Sequence, residues 1–109
     1  MVKLIYVITR KAGMPVEEFQ RYWRETHAPI VERIPGLRRY VQSHVRPELY
    51  GRDTPPAYDG AAELWFDGLE AMREAMRSPE VRAAQEDERN FIDHGKVFAI
   101  VTEENVVVA

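Results

Sequence analysis

Phe19-Gln20-Arg21-Tyr22-Trp23-Arg24-Glu25-Thr26-His27-Ala28-Pro29-Ile30-Val31-Glu32-Arg33-Ile34-Pro35-Gly36-Leu37-Arg38-Arg39-Tyr40 is the stretch that decides how this chain is read. Phe19, Trp23 and His27, then Ile30, Val31 and Ile34, recur at three- and four-residue steps, the period of one helix face. His27 therefore falls on the apolar stripe. Pro29 lacks a backbone donor and disfavours helical geometry at Ala28, so the helix is expected to break or kink just after His27. Pro35-Gly36 stops it, and Leu37 opens a strand. An imidazole on such a stripe has two readings. It is either a packed histidine with a backbone partner or a proton-transfer group placed at a bend.

Before this stretch, Val2 to Thr9 reads as a strand that is apolar on both sides. Leu4, Tyr6 and Ile8 share one face, and Val2, Ile5 and Val7 fall largely on the other. Such a strand is expected to be central in its sheet. Arg10 to Gly13 is a turn, and Pro15 with Glu17 and Glu18 suits the start of the first helix.

After it, Leu37 to Arg46 is the second strand, with Arg38, Tyr40, Gln42 and His44 in one row. That row is solvated if it faces out and a binding surface if it faces a cavity. Pro47 to Tyr58 is a long connection, read as a mobile tip, a lid or a dimer arm. Gly60 to Asp67 is the third strand, with Ala62, Leu64 and Phe66 opposite Ala61, Glu63 and Trp65. Glu63 sits among apolar neighbours, which fits a buried proton carrier or a partner for Arg38 or Arg39. Asp67 to Glu70 resembles a capping box for a short helix to Met76. Ser78-Pro79 opens a longer helix to about Asp93. Its acidic and basic run reads as a solvated face, and Gly95 as a left-handed cap. Lys96 to about Glu103 is the last strand, and Asn105 to Ala109 is a short further extension.

The order β-α-β-β-α-β is the ferredoxin-like α+β pattern, with a four-stranded antiparallel sheet and helices on one face. At 109 residues the chain is one domain, residues 1–109. A chain this size buries only about 65% of its unfolded surface. The uncovered sheet face, with Trp, Tyr, Val and Ile side chains, is too apolar to leave in water. Pairing two such faces makes a homodimer that closes into a dimeric α+β barrel.

A net charge of −3 gives no basic footprint for nucleic acid. The absence of cysteine excludes disulfide and thiolate chemistry and fits a reducing cytoplasm. The apolar start ends at Ile8, too short for a signal-peptide core or a membrane span. No phosphate loop or nucleophile elbow occurs, and His27, His44 and His94 are too scattered for a metal site. His94 closes a helix and is discounted. What remains is proton transfer by His, with Tyr as donor to a developing oxyanion.

The run Trp23-x-x-x-His27-Ala28-Pro29, then Pro35-Gly36-Leu37 and Tyr40, resembles the signature of the EthD-like family. Asp59 to Asp67, Ser78-Pro79-Glu80, and Asp87-Glu88 through Phe91-Ile92-Asp93 are similar to its later blocks. The resemblance spans nearly the whole chain and implies a dimeric α+β barrel. Relatives include a muconolactone methylisomerase whose functional His and Tyr match His27 and Tyr40. Others are linked to ether degradation, and related barrels include cofactor-free cyclases and monooxygenases. Two functions follow as expectations. One is a cofactor-independent isomerase, cyclase or oxygenase, acting on a hydrophobic lactone or aromatic compound through His27 and Tyr40. Trp23, His44, Glu63 and Trp65 would then bind the substrate. The other is a non-catalytic dimer that binds a small hydrophobic ligand or supports a degradation pathway. Neither needs a cofactor or a metal; haem binding, seen in the wider superfamily, is a third reading.

Overall fold

The computed structural model describes residues 1–109. Four strands, β1 (Val2–Ile8), β2 (Arg39–His44), β3 (Gly60–Phe66) and β4 (Phe98–Thr102), form one sheet in the order β2-β3-β1-β4. Every neighbouring pair is antiparallel. The helices are α1 (Val16–Tyr22), α2 (Ala28–Val31), α3 (Leu69–Met76) and α4 (Pro79–Asp87). This is the ferredoxin-like arrangement, and β1 is central, as its composition predicts.

Register assigns the faces. Val2, Leu4, Tyr6 and Ile8 pair with Phe66, Leu64, Ala62 and Gly60. Because side chains alternate along a strand, Val2 joins the inward row. The expectation that it lies opposite Leu4 is corrected, and Lys3 joins Ile5 and Val7 on the other side. The inward face carries the core: Ile8, Ala62, Leu64 and Phe66 pack against Phe19, Trp23 and Val31 from the first helical stretch and Val81, Ala84 and Phe91 from the second. Tyr40, Gln42 and His44 pair with Leu64, Ala62 and Gly60, so the row on β2 faces the helices.

The first helix does not break at His27. Residues Trp23–His27 form a π turn, with Ala28 N–H donating to the Trp23 carbonyl, and Ala28 keeps helical angles (φ −53°, ψ −44°). Adding a residue to the turn moves the chain away from the carbonyl with which the Pro29 ring clashes in a regular α-helix. The helix therefore continues through Val31, and the turn at Pro35-Gly36 is closed by Gly36 in the left-handed region (φ 79°).

Other boundaries shift. The helix from Pro79 ends at Asp87 and gives way to a 3₁₀ turn at Glu88–Asn90. Ser78 does cap it, accepting from Val81 N–H. Asp67 caps nothing: α3 starts after Gly68 without a side-chain cap. Asp67 instead binds the Arg38 guanidinium at 2.8 Å and 3.1 Å. Gly95 is not left-handed, and its N–H is taken by the Asp93 side chain. Residues after Thr102 add no further strand.

The long connection is anchored rather than loose. Pro47–Gly51 is a 3₁₀ turn. Tyr50 Oη donates to buried Asp59 at 2.6 Å, and Asp59 also accepts from the Arg10 backbone (2.7 Å) and guanidinium (2.6 Å). The outward face of the sheet carries Ile5, Val7, Val41, Trp65, Phe98 and Ile100, with Ile100 58% exposed. No helix is long and apolar enough to cross a membrane.

Candidate active site

Between the sheet and the helices lies a cavity of about 260 Å³. Its walls are mostly aliphatic: Leu4 and Ile8 from β1, Leu64 from β3, Val31 and Ile34 from the first helical stretch, Val81 and Ala84 from α4. Among these stand the polar groups His27, Tyr40, Tyr6, Glu88 and Gln85, with Trp23 beside them. A small apolar chamber with few polar groups is the usual form of a small-molecule site.

The π turn delivers His27 to this chamber. The residue is 4% exposed. Its ring lies 4.7 Å from that of Phe91, and its Nδ1 lies 2.8 Å from Asp87 Oδ2. Nε2 has no protein partner, yet it is not sealed from the cavity. Asp87 also accepts from Tyr22 Oη (2.5 Å) and Asn90 (3.1 Å). Burial pushes the Asp87 carboxyl up, but hydrogen bonds from Tyr22, His27 and Asn90 outweigh it and hold the carboxyl below its ordinary value. An ionised carboxylate on Nδ1 fixes the imidazole tautomer and the orientation of the ring.

Tyr40 enters from β2. Its Oη accepts from Gln42 Nε2 (2.8 Å), which leaves the phenolic hydrogen for a guest. Burial pushes its pKa up, partly offset by Gln42. It is thus a hydrogen-bond donor near neutrality, not a base. Gln42 Nε2 also donates to the Trp23 carbonyl (2.9 Å), tying β2 to the π turn.

Of the residues singled out in the sequence, His27, Tyr40 and Trp23 share the cavity. His44 does not line it. Its ring packs on Trp23 at 4.3 Å and its Nε2 donates to Gln42 Oε1 at 2.9 Å. Burial, helped by the Arg24 charge, lowers its pKa and keeps it neutral. Glu63 and Trp65 lie on the opposite face of the sheet. Glu63 pairs with Lys3 at 2.7 Å rather than with Arg38 or Arg39. Lys3 and Arg39 both lie opposite Trp65, one on each side of β3, but Arg39 is taken up over the Trp65 ring and Arg38 by Asp67. Trp65 Nε1 donates to Glu104 at 2.9 Å, with the Arg39 guanidinium over its ring at 4.7 Å. Neither faces a ligand held beside His27.

Sequence reasoning missed Asp87, Glu88, Tyr22 and Tyr6 as site residues. Asp87 and Glu88 sit in an acidic run that reads as solvated. The available signal was Glu88, four residues after Ala84 and seven after Val81, on the same apolar stripe. Asp87 carries no such mark.

The EthD domain model matches residues 11–95. An uncharacterised 11.0 kDa protein from the thcB-thcC intergenic region of Rhodococcus erythropolis is 29% identical over 89 residues, 82% of this chain and 84% of that protein. The crystal structure of an EthD family protein from Bacillus halodurans superposes with a TM-score of 0.76 at 28% identity, covering 96% of this chain and 99% of that one. Two less similar structures share the fold. A dimeric ferredoxin-like protein of unknown function from Bacteroides fragilis has a TM-score of 0.66 at 20% identity, covering 94% and 95% of the two chains. SnoaB, a cofactor-independent oxygenase from Streptomyces nogalater, has a TM-score of 0.66 at 17% identity, covering 97% and 95%.

Proposed function

The chain belongs to the EthD domain family, and on that premise we propose that it is a cofactor-independent enzyme acting by proton transfer on a compact hydrophobic lactone or aromatic compound. The observation that carries this reading is the His27–Asp87 pair at the wall of an apolar cavity. A merely packed histidine would have both ring nitrogens satisfied or buried. Here Nδ1 is held by a carboxylate while Nε2 is left to the chamber. That is the arrangement of an acid–base group whose orientation is set by a third residue. Tyr40, with a free phenolic hydrogen, suits an oxygen on which charge develops.

SnoaB shows that a ferredoxin-like chain can host an oxygenase without a cofactor. Isomerisation and cyclisation ask for the same proton-transfer groups. The working unit is a homodimer. The outward face with Phe98 and Ile100 is apolar and uncovered, and the Bacteroides relative of the same fold is described as dimeric. A cytoplasmic location agrees with a chain free of cysteine.

The test is His27→Ala, assayed against lactones and small aromatic ketones for turnover, with binding and melting temperature measured on the same preparation. A positioned acid–base group is worth about 10²–10⁴-fold in rate. Loss of turnover with binding retained supports the enzyme. Binding without turnover in the parent protein leaves a non-catalytic ligand carrier. Unchanged turnover in a stable variant removes His27 from the site.

A further inference from the structure

A second titratable group, Glu88, lines the same cavity. Glu88 is 9% exposed, at the turn that follows α4, one residue after the aspartate that holds His27. Its Oε1 accepts from Tyr6 Oη at 3.0 Å and lies 3.3 Å from His94 Nε2. Oε2 has no protein partner and is not sealed. Glu88, with Tyr6 and Gln85, also lines a second, polar groove; His94 belongs only to that second groove. The glutamate thus stands between chamber and solvent, with a half-exposed imidazole on its outer side.

Four side chains that ionise face the chamber: Tyr6, His27, Tyr40 and Glu88. Burial pushes both phenols up, Tyr6 with help from the Glu88 charge. They are left as hydrogen-bond donors, and the imidazole and the carboxylate as the pair able to exchange protons.

We propose that Glu88 is the base and His27 the acid of a two-group proton shuttle, with His94 carrying the proton between Glu88 and solvent. This deepens the reading of the cavity just given and rests on it. The reaction class it fits is the shift of a double bond in an enolisable β,γ-unsaturated carbonyl compound. Glu88 takes the proton from the α carbon, and the C–H pair becomes the α–β double bond through an enolate whose oxygen Tyr40 holds. The β–γ pair then accepts a proton from His27 Nε2 at the γ carbon. Substrate and product are isomers, and no oxidant or reductant is needed. Glu88 returns its proton outward through His94, and His27 is recharged from water when the product leaves.

The experiment uses the full-length protein and α-angelica lactone in deuterium oxide. A two-group shuttle gives product with solvent deuterium at the γ carbon from the first turnover, because the incoming proton and the outgoing one use different groups. Glu88→Gln keeps the acceptor for Tyr6 and removes the base. It should lose about 10²–10⁴-fold in rate with unchanged melting and unchanged lactone binding, and Glu88→Asp should recover part of it. His94→Gln should lower kcat by less, leave KM in place, and be rescued by added imidazole. Transfer of the substrate's own α hydrogen to the γ carbon overturns the shuttle but leaves His27 as a single base. A fully active Glu88→Gln protein does the same. If the parent protein binds the lactone without accelerating its isomerisation over buffer, this reaction class is overturned, while proton transfer on other compounds is judged by the His27→Ala assay.

Discussion

His27 Nδ1 lies 2.8 Å from Asp87 Oδ2, two residues 60 positions apart in the chain. The contact joins the π turn of the first helical stretch to the last residue of α4, and with Tyr22 it ties the two helical stretches together at the site. Folding lowers the Asp87 pKa from its ordinary 3.8. The unfolded chain therefore binds that proton more readily than the folded one. The stability from Asp87 is complete above its unfolded value and is lost as pH falls through the lower folded value. Asp87→Asn should thus be destabilised by about 1–3 kcal/mol near neutrality, the cost of an imperfectly paired buried group. It should also lose less stability than the parent protein on acidification below that carboxyl range. Thermal melts across the acid limb check both. Equal acid sensitivity in the two proteins would show that Asp87 is not a source of it.

The two tryptophans stand on opposite faces of the sheet. Trp23 lines the cavity, and Trp65 packs beneath Arg39 and Lys3 on the outward face. A bound aromatic lactone should therefore quench Trp23 alone. Trp65→Phe should keep the quench, and Trp23→Phe should abolish it. Titrating both single-tryptophan proteins decides the point, and quenching that survives only with Trp65 would put the ligand on the other face.

The exposed rows on β4 and β1 predict self-association. Sedimentation at micromolar concentration should give twice the 12.7 kDa chain mass. Ile100→Glu puts a charge on the apolar face, in the middle of edge strand β4 and beside Ile5. It should yield a folded monomer, read from halved mass with unchanged circular dichroism. A parent protein that sediments as a monomer would rule out the paired-sheet arrangement.

Gly60 lies directly under the Trp23 ring. A β-carbon there would lie 2.6 Å from both the Trp23 ring and the Ser43 carbonyl oxygen. Neither neighbour yields easily, since Trp23 is buried and its own carbonyl is held by Gln42. Gly60→Ala should cost about 1–3 kcal/mol through overpacking, measured by denaturant unfolding. It should also displace the π turn, so turnover should fall further than stability alone explains. A neutral substitution would mean that the contact relaxes without cost.

Local periodicity determined a good part of this protein. Alternation along Val2–Ile8 and Gly60–Phe66, and three- and four-residue steps from Phe19 to Ile34, name the elements and most of their inward faces. They also bring His27 and Tyr40 toward one interior, because a side chain's face follows from its place in a regular repeat. Pairing is different in kind. Lys3 as the partner of Glu63, Asp87 as the partner of His27, and Glu88 as the partner of Tyr6 depend on strand register and on which helix closes over which strand. In the linear chain Asp87 is one more acid in a polar run, and only the spacing of Glu88 from Val81 and Ala84 sets that carboxylate apart from a solvated one. The π turn is likewise invisible as such. The sequence shows that Pro29 cannot continue an ordinary α-helix, but whether the chain breaks there or widens by one residue is decided by the packing of Trp23, His27 and Val31 on either side of it.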